Sequence, residues 1–326
     1  MSLVTEILLR ITFCVDLFLL QIVIPLLALL YSPRDAGTHN MSAWTSKMLG
    51  YRIHKAGQNT CYVPEEKSTR VMYLANHRSW GDFIVDRLLT GFRGGSLSRI
   101  MVIVGIPMPA TLAWLGSGQR GTSALWFFKR AKGATPALWA TLDRNFEVAI
   151  EKAVVVYPEG HRNRSDKPLP IRTGTLRYAF DRNVHVQVMV AEGKERVINE
   201  AQLVTRRSPN VVTVSYSDPI VPKNYSTFEG FHGAVCEAWR TTWLAAYGAA
   251  AEAGYCAPPP ALGPDGTAES ATAADHKRIH RPPAAVPWTP PNPGPPPNQH
   301  ASLGMHMARL CIVGAISAAA YYTLYE

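Results

Sequence analysis

Short apolar runs recur along the middle of the chain and alternate with longer stretches that mix apolar and polar residues. The runs are typical of buried strands, and the mixed stretches are typical of amphipathic helices. The predicted strands are Val71–Ala75, Ile100–Val104, Ala124–Phe128, Ala153–Tyr157, Val184–Val190 and Val211–Ser215. The predicted helices are Trp80–Thr90, Thr135–Glu151, Thr173–Asp181 and Phe228–Ala250. Because strands and helices alternate, the pattern predicts an α/β domain in which helices flank one sheet.

Two longer apolar segments lie near the ends of the chain and predict membrane contact. Ile11–Ser32 is about 22 residues long, enough for a helix to cross a hydrocarbon core of about 30 Å. The segment is interrupted by Asp16, Gln21 and Pro25, so a kinked or re-entrant helix is an alternative. A cleaved signal peptide is disfavoured, because no cleavage site follows the segment. Leu310–Tyr325 is long enough for a short tail anchor, with an alanine-rich packing helix as the alternative.

A change in composition separates the predicted globular domain from the second apolar segment. Between Pro258 and Pro297 lie many of the 25 prolines, with few large apolar residues. Such a stretch cannot bury enough surface to offset its ordering entropy, which predicts a disordered linker. The predicted organisation is therefore an N-terminal membrane segment at 1–35, a globular domain at 36–256, a proline-rich linker at 257–307 and a C-terminal membrane anchor at 308–326.

Charge and cysteine content narrow the choice of partners only slightly. The net charge of +9 is compatible with phosphate, nucleotide or anionic lipid as a partner. No zinc finger or basic–aromatic array is present, so we predict that the chain does not bind nucleic acid. The 5 cysteines show no metal-ligand spacing, which predicts neither a metal site nor a disulfide framework.

The first candidate for chemistry is the polar stretch Asn76–Asp82, which follows the predicted strand Val71–Ala75. On one continuous helix His77 and Asp82 would point apart, because five residues rotate the chain by about 140°. They can meet if His77 lies in the loop and Asp82 in the first helical turn, with Ser79 as the N-cap. An imidazole held by a carboxylate at one nitrogen can accept a proton at the other. The alternative is a loop histidine beside a helix-capping aspartate, without chemistry.

A second polar stretch, Tyr157–Arg164, follows the predicted strand Ala153–Tyr157. The proline and Gly160 on either side of Glu159 predict a tight turn. Arg162 offers a planar donor fork that suits phosphate oxygens, although an ordinary surface turn with a Glu–Arg pair is the alternative. Because both polar stretches follow strands, we expect the two loops to meet at one edge of the sheet and form a site.

A third stretch, Leu125–Arg130, is an apolar run that ends in two cations. It could place Arg130 near the same edge of the sheet, or it could be a solvated strand end. By itself this stretch does not indicate a particular function.

Together these stretches resemble the glycerolipid acyltransferase family, of the lysophosphatidic-acid acyltransferase (1-acylglycerol-3-phosphate O-acyltransferase) type. The family pattern N-H-x-S-x-x-D matches Asn76–Asp82, F-x-x-R matches Phe127–Arg130, and P-E-G-x-R matches Pro158–Arg162. The resemblance extends over roughly residues 65 to 222. His161 stands where the family usually has threonine, and Ser217 replaces a usual glycine in the closing turn.

The resemblance implies a glycerol-3-phosphate acyltransferase-like mixed sheet flanked by helices. It further implies transfer of an acyl group from acyl-CoA to a lysophospholipid, 1-acylglycerol-3-phosphate in the first instance, to give phosphatidic acid. No cofactor is expected beyond acyl-CoA as co-substrate, and the expected location is the endoplasmic reticulum membrane with the domain facing the cytosol. The expected catalytic residues are His77 and Asp82, and the expected substrate-binding residues are Arg130, Glu159, Gly160 and Arg162.

Three alternatives stay open beside this reading. The acceptor could be another lysophospholipid. A membrane-tethered hydrolase could use His77 and Asp82 to activate water on a lipid ester or thioester, although no G-x-S-x-G nucleophile motif is present. A lipid-binding scaffold without catalysis is the third alternative.

Overall fold

A seven-stranded mixed sheet with helices against its faces organises the part of the chain that the computed structural model describes. The described residues are 3–23, 45, 49–99, 102, 125–128, 135–149, 151–163, 167–196, 198–199, 204–205 and 210–256. The helices are α1 (Leu3–Phe18), α2 (Asp82–Leu89), α3 (Thr135–Val148), α4 (Thr173–Asp181) and α5 (Phe228–Glu252). The strands are β1 (Tyr51–Lys55), β2 (Val71–Ala75), β3 (Gly95–Arg99), β4 (Leu125–Phe128), β5 (Ala153–Val156), β6 (His185–Glu192), β7 (Ile198–Asn199), β8 (Val204–Thr205) and β9 (Asn210–Tyr216).

The sheet runs in the order β1-β9-β6-β2-β5-β3-β4, and β7 pairs with β8 in a separate two-stranded sheet. Neighbouring strands of the large sheet are parallel, except for the antiparallel pair β6–β9. The strands β2, β5 and β6 are therefore adjacent and parallel at the centre. Their carboxyl ends meet at one edge, which is where open α/β sheets place their sites. The predicted mixed sheet flanked by helices is confirmed.

The central strands are continuous apolar runs because both of their faces are covered. Met72 and Leu74 of β2 pack into a core shared with α3, α4 and α5. Tyr73 and Ala75, which point to the other face, pack with Val85 of α2. All residues of β2 and β5 are buried, so neither strand shows the alternation of a half-exposed strand. This double cover fixes the register of the two loops that follow these strands.

Two strands of the large sheet escaped prediction because their residues do not look like strand residues. The edge strand β1 carries polar and charged side chains, and β3 has the sequence Gly-Ser-Leu-Ser-Arg. Both Ser96 and Ser98 are nonetheless buried in β3. The strand predicted at Ile100–Val104 follows β3 directly, and all of it except Val102 lies outside the described residues. Val102 itself is helical, so the strand at this place in the sheet is β3.

The N-terminal segment begins as a helix earlier than predicted. Helix α1 starts at Leu3 and is continued by a π-helical turn, Leu19–Val23, while 24–32 lie outside the described residues. The predicted linker and C-terminal anchor lie entirely outside them, since 257–326 are not described. Among the described residues, no helix combines the length and the apolar character needed to cross a bilayer.

Candidate active site

The predicted pair of His77 and Asp82 forms at the carboxyl end of β2. The imidazole Nδ1 lies 2.8 Å from Oδ2 of Asp82. Asp82 is fully buried, whereas 15% of the His77 side chain is exposed. With Nδ1 donating to the carboxylate, Nε2 carries the lone pair that can accept a proton. The two side chains meet because His77 lies in the loop and Asp82 is the first residue of α2.

The cap of α2 differs from the prediction. The N-cap is Gly81, which makes no side-chain capping bond, and Asp82 occupies the first helical position rather than the third. Ser79 forms a turn before the helix, in which its Oγ accepts a hydrogen bond from the N–H of Gly81 (3.1 Å) and donates one to Oδ1 of Asp82 (3.3 Å). The backbone N–H of Arg78 also donates to Oδ2 of Asp82. Ser79 therefore orients the Asp82 carboxylate instead of capping the helix.

Aromatic rings fix the plane of the imidazole. The His77 ring stacks on the Tyr157 ring with centroids 4.2 Å apart, and the edge of Phe83 approaches it at 6.2 Å. In the described part of the chain, Asp82 is the one side chain that hydrogen bonds to the imidazole. A ring held by stacking and by one hydrogen bond presents its second nitrogen in a fixed direction.

Glu159 joins the second loop to the first. Its carboxylate accepts hydrogen bonds from the backbone N–H of His77 (3.1 Å), the N–H of Leu169 (3.0 Å) and the side-chain amide of Asn163 (2.7 Å). The N–H of Asn163 in turn donates to the carbonyl oxygen of His77 at 2.6 Å. Burial raises the pKa of Glu159, while the three donors oppose that rise. Because both carboxylate oxygens already accept protein donors, Glu159 positions the loops that carry His77.

Gly160 and three arginines shape the outer side of this loop. Gly160 has a φ of +77°, and the Arg172 side chain occupies the space that a Cβ at Gly160 would need. The Arg99 guanidinium approaches the carbonyl oxygen of Gly160 at 3.5 Å. The Arg162 guanidinium lies 5.8 Å above the centre of the Trp80 ring, beside the His77 loop. Positive charge therefore surrounds the turn that meets the His77 loop, whereas the predicted Arg130 lies outside the described residues.

Part of the chain matches a known protein family. Residues 54–192, which include both loops, match the family described as Acyltransferase. These residues form an acyltransferase-family domain. The acyltransferase resemblance predicted from the motifs is thereby confirmed for these residues.

The chain also has a similarity to a solved structure. The crystal structure of the 1-acyl-sn-glycerophosphate (LPA) acyltransferase PlsC from Thermotoga maritima is 16% identical in sequence, with a TM-score of 0.47. The match covers 72% of this chain and 96% of that one. No curated protein sequence matches the chain significantly.

A buried cation that the sequence did not indicate lies beside the His77–Asp82 pair. Lys194 follows β6 and is fully buried, with its ammonium 3.9 Å from Oδ2 of Asp82. It also donates to both carboxylate oxygens of Asp86, at 2.9 and 3.1 Å. The sequence Glu192-Gly193-Lys194-Glu195-Arg196 is typical of an exposed polar turn, so no sequence signal pointed to this contact.

Lys194 separates the protonation behaviour of the two aspartates of α2. Burial disfavours ionisation of Asp82, but the Lys194 ammonium and the His77 hydrogen bond outweigh it and hold the pKa of Asp82 below its ordinary value. Burial raises the pKa of Asp86 to about 6, against the effect of Lys194 and with the help of the Asp82 charge. The carboxylate that holds His77 is thus the one kept ionised.

Among the described residues, no group of three or more histidines, cysteines and acids is arranged to hold a metal ion.

Proposed function

We propose that this chain transfers a fatty acyl group from acyl-CoA to the free hydroxyl of 1-acylglycerol-3-phosphate, giving phosphatidic acid. The observation that carries the proposal is the 2.8 Å contact between His77 Nδ1 and the buried Asp82 carboxylate. It supplies a base and its orienting group, as general base catalysis requires. The acyltransferase family of residues 54–192 supports the reaction class. The nucleophile in this proposal is the hydroxyl of the lipid acceptor.

The proposed reaction follows from this arrangement. His77 Nε2 takes the proton of the acceptor hydroxyl while that oxygen attacks the carbonyl carbon of the thioester. Asp82 stabilises the imidazolium that forms. When the tetrahedral intermediate collapses, the C–S bond breaks, and the imidazolium returns its proton to the CoA thiolate. An ester and free CoA leave, and His77 is again neutral.

The arginines around the Gly160 turn support a phosphate-bearing acceptor. Arg162 lies beside the His77 loop over Trp80, and Arg99 and Arg172 flank the Gly160 turn. Guanidinium groups bind phosphate oxygens through paired charge-assisted hydrogen bonds. We infer that Arg162 contacts the acceptor phosphate, with Arg99 and Arg172 adding to the local positive charge.

The deciding experiment compares His77→Ala with the matched variant His185→Ala. His185 lies at the opposite end of β6, where its ring faces Tyr62 rather than the catalytic loops. Purified protein receives acyl-CoA and a panel of lysophospholipids, and both CoA release and acylated lipid are measured. We expect His77→Ala to lower kcat by about 10²- to 10⁴-fold, the usual contribution of a general base. His185→Ala should retain the wild-type rate.

Three outcomes of that assay would contradict the proposal in different ways. Acylated lipid formed equally well by His77→Ala would remove the base from the mechanism. Release of CoA without acylated lipid would favour a thioester hydrolase. Transfer to other lysophospholipids but not to 1-acylglycerol-3-phosphate would keep the chemistry and reject the acceptor.

A second prediction concerns the phosphate. Arg162→Ala should raise the KM for the acceptor by about 10-fold or more, the value of a lost charge-assisted hydrogen bond, with a smaller change in kcat. The matched variant is Arg182→Ala, which removes an exposed guanidinium that pairs with Asp143. Equal acceptor KM values for wild type and Arg162→Ala would reject the phosphate assignment.

A further inference from the structure

We propose that Lys194 is a positioning residue of the His77–Asp82 pair, holding the Asp82 side chain in its charged form and fixing the loop that carries His77. This inference rests on the proposed function, since it concerns the base of that reaction. Lys194 itself is fully buried and touches no substrate in the proposed mechanism.

The contacts of the Lys194 ammonium tie three parts of the site together. It donates to the carbonyl oxygen of Asn76, the residue before His77, at 2.5 Å. It also donates to both oxygens of Asp86 and lies 3.9 Å from Oδ2 of Asp82. Asn76 is anchored in turn to β6 by a reciprocal pair of hydrogen bonds with the backbone of Ala191. One ammonium group therefore connects β6, the His77 loop and α2.

The backbone before Lys194 is built for this placement. Gly193 has a φ of +91°, and a Cβ there would lie 2.6 Å from the carbonyl oxygen of Val211 on β9. Only glycine fits this approach, and the turn directs the following 3₁₀ helix, Lys194–Arg196, back toward α2. The side chain of Lys194 thereby enters the protein, although its neighbours in sequence are polar.

The charge balance of this pocket explains why a cation is needed. Asp82 and Asp86 are four residues apart on α2, so their carboxyl groups lie on one face and repel each other when both are ionised. Both are fully buried, which makes an unpaired charge costly. Lys194 is the cation that contacts both carboxyl groups within the described part of the chain.

Other ionisable groups nearby do not replace it. In the described part of the chain, the titratable and charged groups around Lys194, its carboxylates and His77 are Arg78 after β2, Asp82 and Asp86 on α2, Tyr51 on β1, Tyr157 and Glu159 after β5, Glu195 beside Lys194, and Tyr216 on β9. Burial raises the pKa of all three tyrosines, which keeps them neutral. The Glu195 carboxylate pairs with the Arg78 guanidinium at 2.7 Å.

The consequence can be measured on His77 directly. Without the Lys194 ammonium, the His77–Asp82 pair lies in a more negative environment. The pair then binds a proton more tightly, whether that proton is on the imidazole or on the carboxylate. The midpoint of the His77 titration should therefore move to higher pH. The acidic limb of the kcat/KM profile should move in the same direction, because the pair accepts a proton from substrate only when it is free of its own.

The experiment follows histidine ring signals of the isotopically labelled full-length chain by NMR over a pH series, with His77→Gln assigning the His77 signal. Lys194→Met should raise the His77 midpoint, by less than the effect of one whole charge, because Asp86 without its partner binds a proton more readily and offsets part of the change. Comparing Asp86→Asn with Asp86→Asn/Lys194→Met removes that offset. Lys194→Arg keeps the charge and should leave the midpoint near its wild-type position.

A second pair of variants decides the question if Lys194→Met alone does not fold. Asp86→Asn and Asp86→Asn/Lys194→Met differ only in the ammonium, and the double variant buries no unpaired charge at position 86. We expect the double variant to titrate at a higher pH than Asp86→Asn. Equal midpoints of Asp86→Asn and Asp86→Asn/Lys194→Met would overturn the proposal, because a purely structural lysine would alter the folded fraction without moving the titration.

The titration needs no substrate, so it separates the two proposals. A shifted midpoint in a protein that fails to acylate lysophospholipids would reject the proposed function but retain the control of His77 by Lys194. Acyl transfer with an unshifted His77 midpoint and an unshifted acidic limb of the kcat/KM profile would retain the proposed function and reject the control of His77 by Lys194.

Discussion

The Glu192 carboxyl group, at the end of β6, shows how the protonation of one buried residue can set stability near neutral pH. Its Oε1 accepts a hydrogen bond from Arg196, while its Oε2 is buried without a hydrogen-bond partner among the described residues. Burial raises the pKa of Glu192 to about 7, the Arg196 guanidinium opposes that rise, and the Glu195 charge adds to it. The folded protein therefore binds this proton more tightly than the unfolded chain does.

The sign of the pH dependence follows from this shift. Because the folded state holds the proton more tightly, the contribution of Glu192 to stability is present at low pH and is lost as the pH rises from the ordinary value of 4.5 to about 7. Glu192→Gln cannot ionise, so we expect a higher Tm than wild type at a pH of about 8 and little difference at a pH of about 5. Thermal unfolding followed by circular dichroism measures both values.

The exposed acid Glu237, which pairs with Arg240 on α5, offers a matched control. Glu237→Gln should change the Tm little at either pH, since exposed ion pairs contribute little to stability. If Glu192→Gln altered the Tm by the same amount at both pH values, the protonation of Glu192 would not be the cause.

At the scale of elements, the turn after β5 is the part of the site most sensitive to backbone geometry. The left-handed conformation of Gly160 costs about 1–2 kcal/mol for a residue with a side chain. A Cβ there would also displace the Arg172 side chain. We therefore expect Gly160→Ala to lower the free energy of unfolding by about 1–2 kcal/mol and to raise the acceptor KM, as measured by denaturation and steady-state kinetics.

Gly174 provides the control for this prediction. It lies in the first turn of α4, has an ordinary φ, and a Cβ there would meet no atom within 4 Å. Gly174→Ala should leave the KM unchanged and raise stability by about 0.5 kcal/mol, because alanine loses less backbone entropy on entering a helix. Equal effects of the two alanines would mean that the turn at Gly160 tolerates a side chain.

The sequence predicted the elements whose environment is uniform along their length. The strands β2 and β5 are covered on both faces, so their apolar runs stand out, and the loops that follow them could be placed at one edge of the sheet. The contact of His77 with Asp82 could also be predicted, because it depends only on where a helix begins. The Glu159 bridge could not, since a glutamate in a Pro-Glu-Gly turn reads equally well as exposed.

Lys194 and β3 show where local pattern fails. A lysine between a glycine and a glutamate predicts solvent exposure, and only the pairing of β6 with β9 and the packing of α2 bury it. In β3, Gly95 and two serines contradict strand propensity, but the strand is held between β4 and β5. In both cases tertiary contacts outweigh the local preference, which a single sequence does not reveal.

At the scale of the whole molecule, the N-terminal helix carries an apolar surface that the rest of the described chain does not cover. At about 100° per residue, the exposed apolar side chains of α1 fall within a stripe about 100° wide. These side chains are Ile7, Leu8, Ile11, Val15 and Phe18, each between 46% and 58% exposed. Phe13 and Asp16, on the opposite side of the helix, are buried. A helix with one side packed on the protein and an apolar stripe on the other suits the surface layer of a bilayer, from which a lipid acceptor would come.

This arrangement predicts that α1 inserts its stripe into lipid. Hydrogen–deuterium exchange of the full-length chain, with and without vesicles of phosphatidylcholine and phosphatidylglycerol, should show that vesicles protect residues 7–18. Ile11→Glu/Phe18→Glu should lose that protection, because two carboxylates would have to enter the apolar layer. Val63→Glu/Val148→Glu adds the same charge at exposed apolar positions away from α1 and should keep it. Measuring exchange within α1 isolates its contact from any contribution of the predicted C-terminal anchor. Protection that survives Ile11→Glu/Phe18→Glu would show that the stripe does not face lipid.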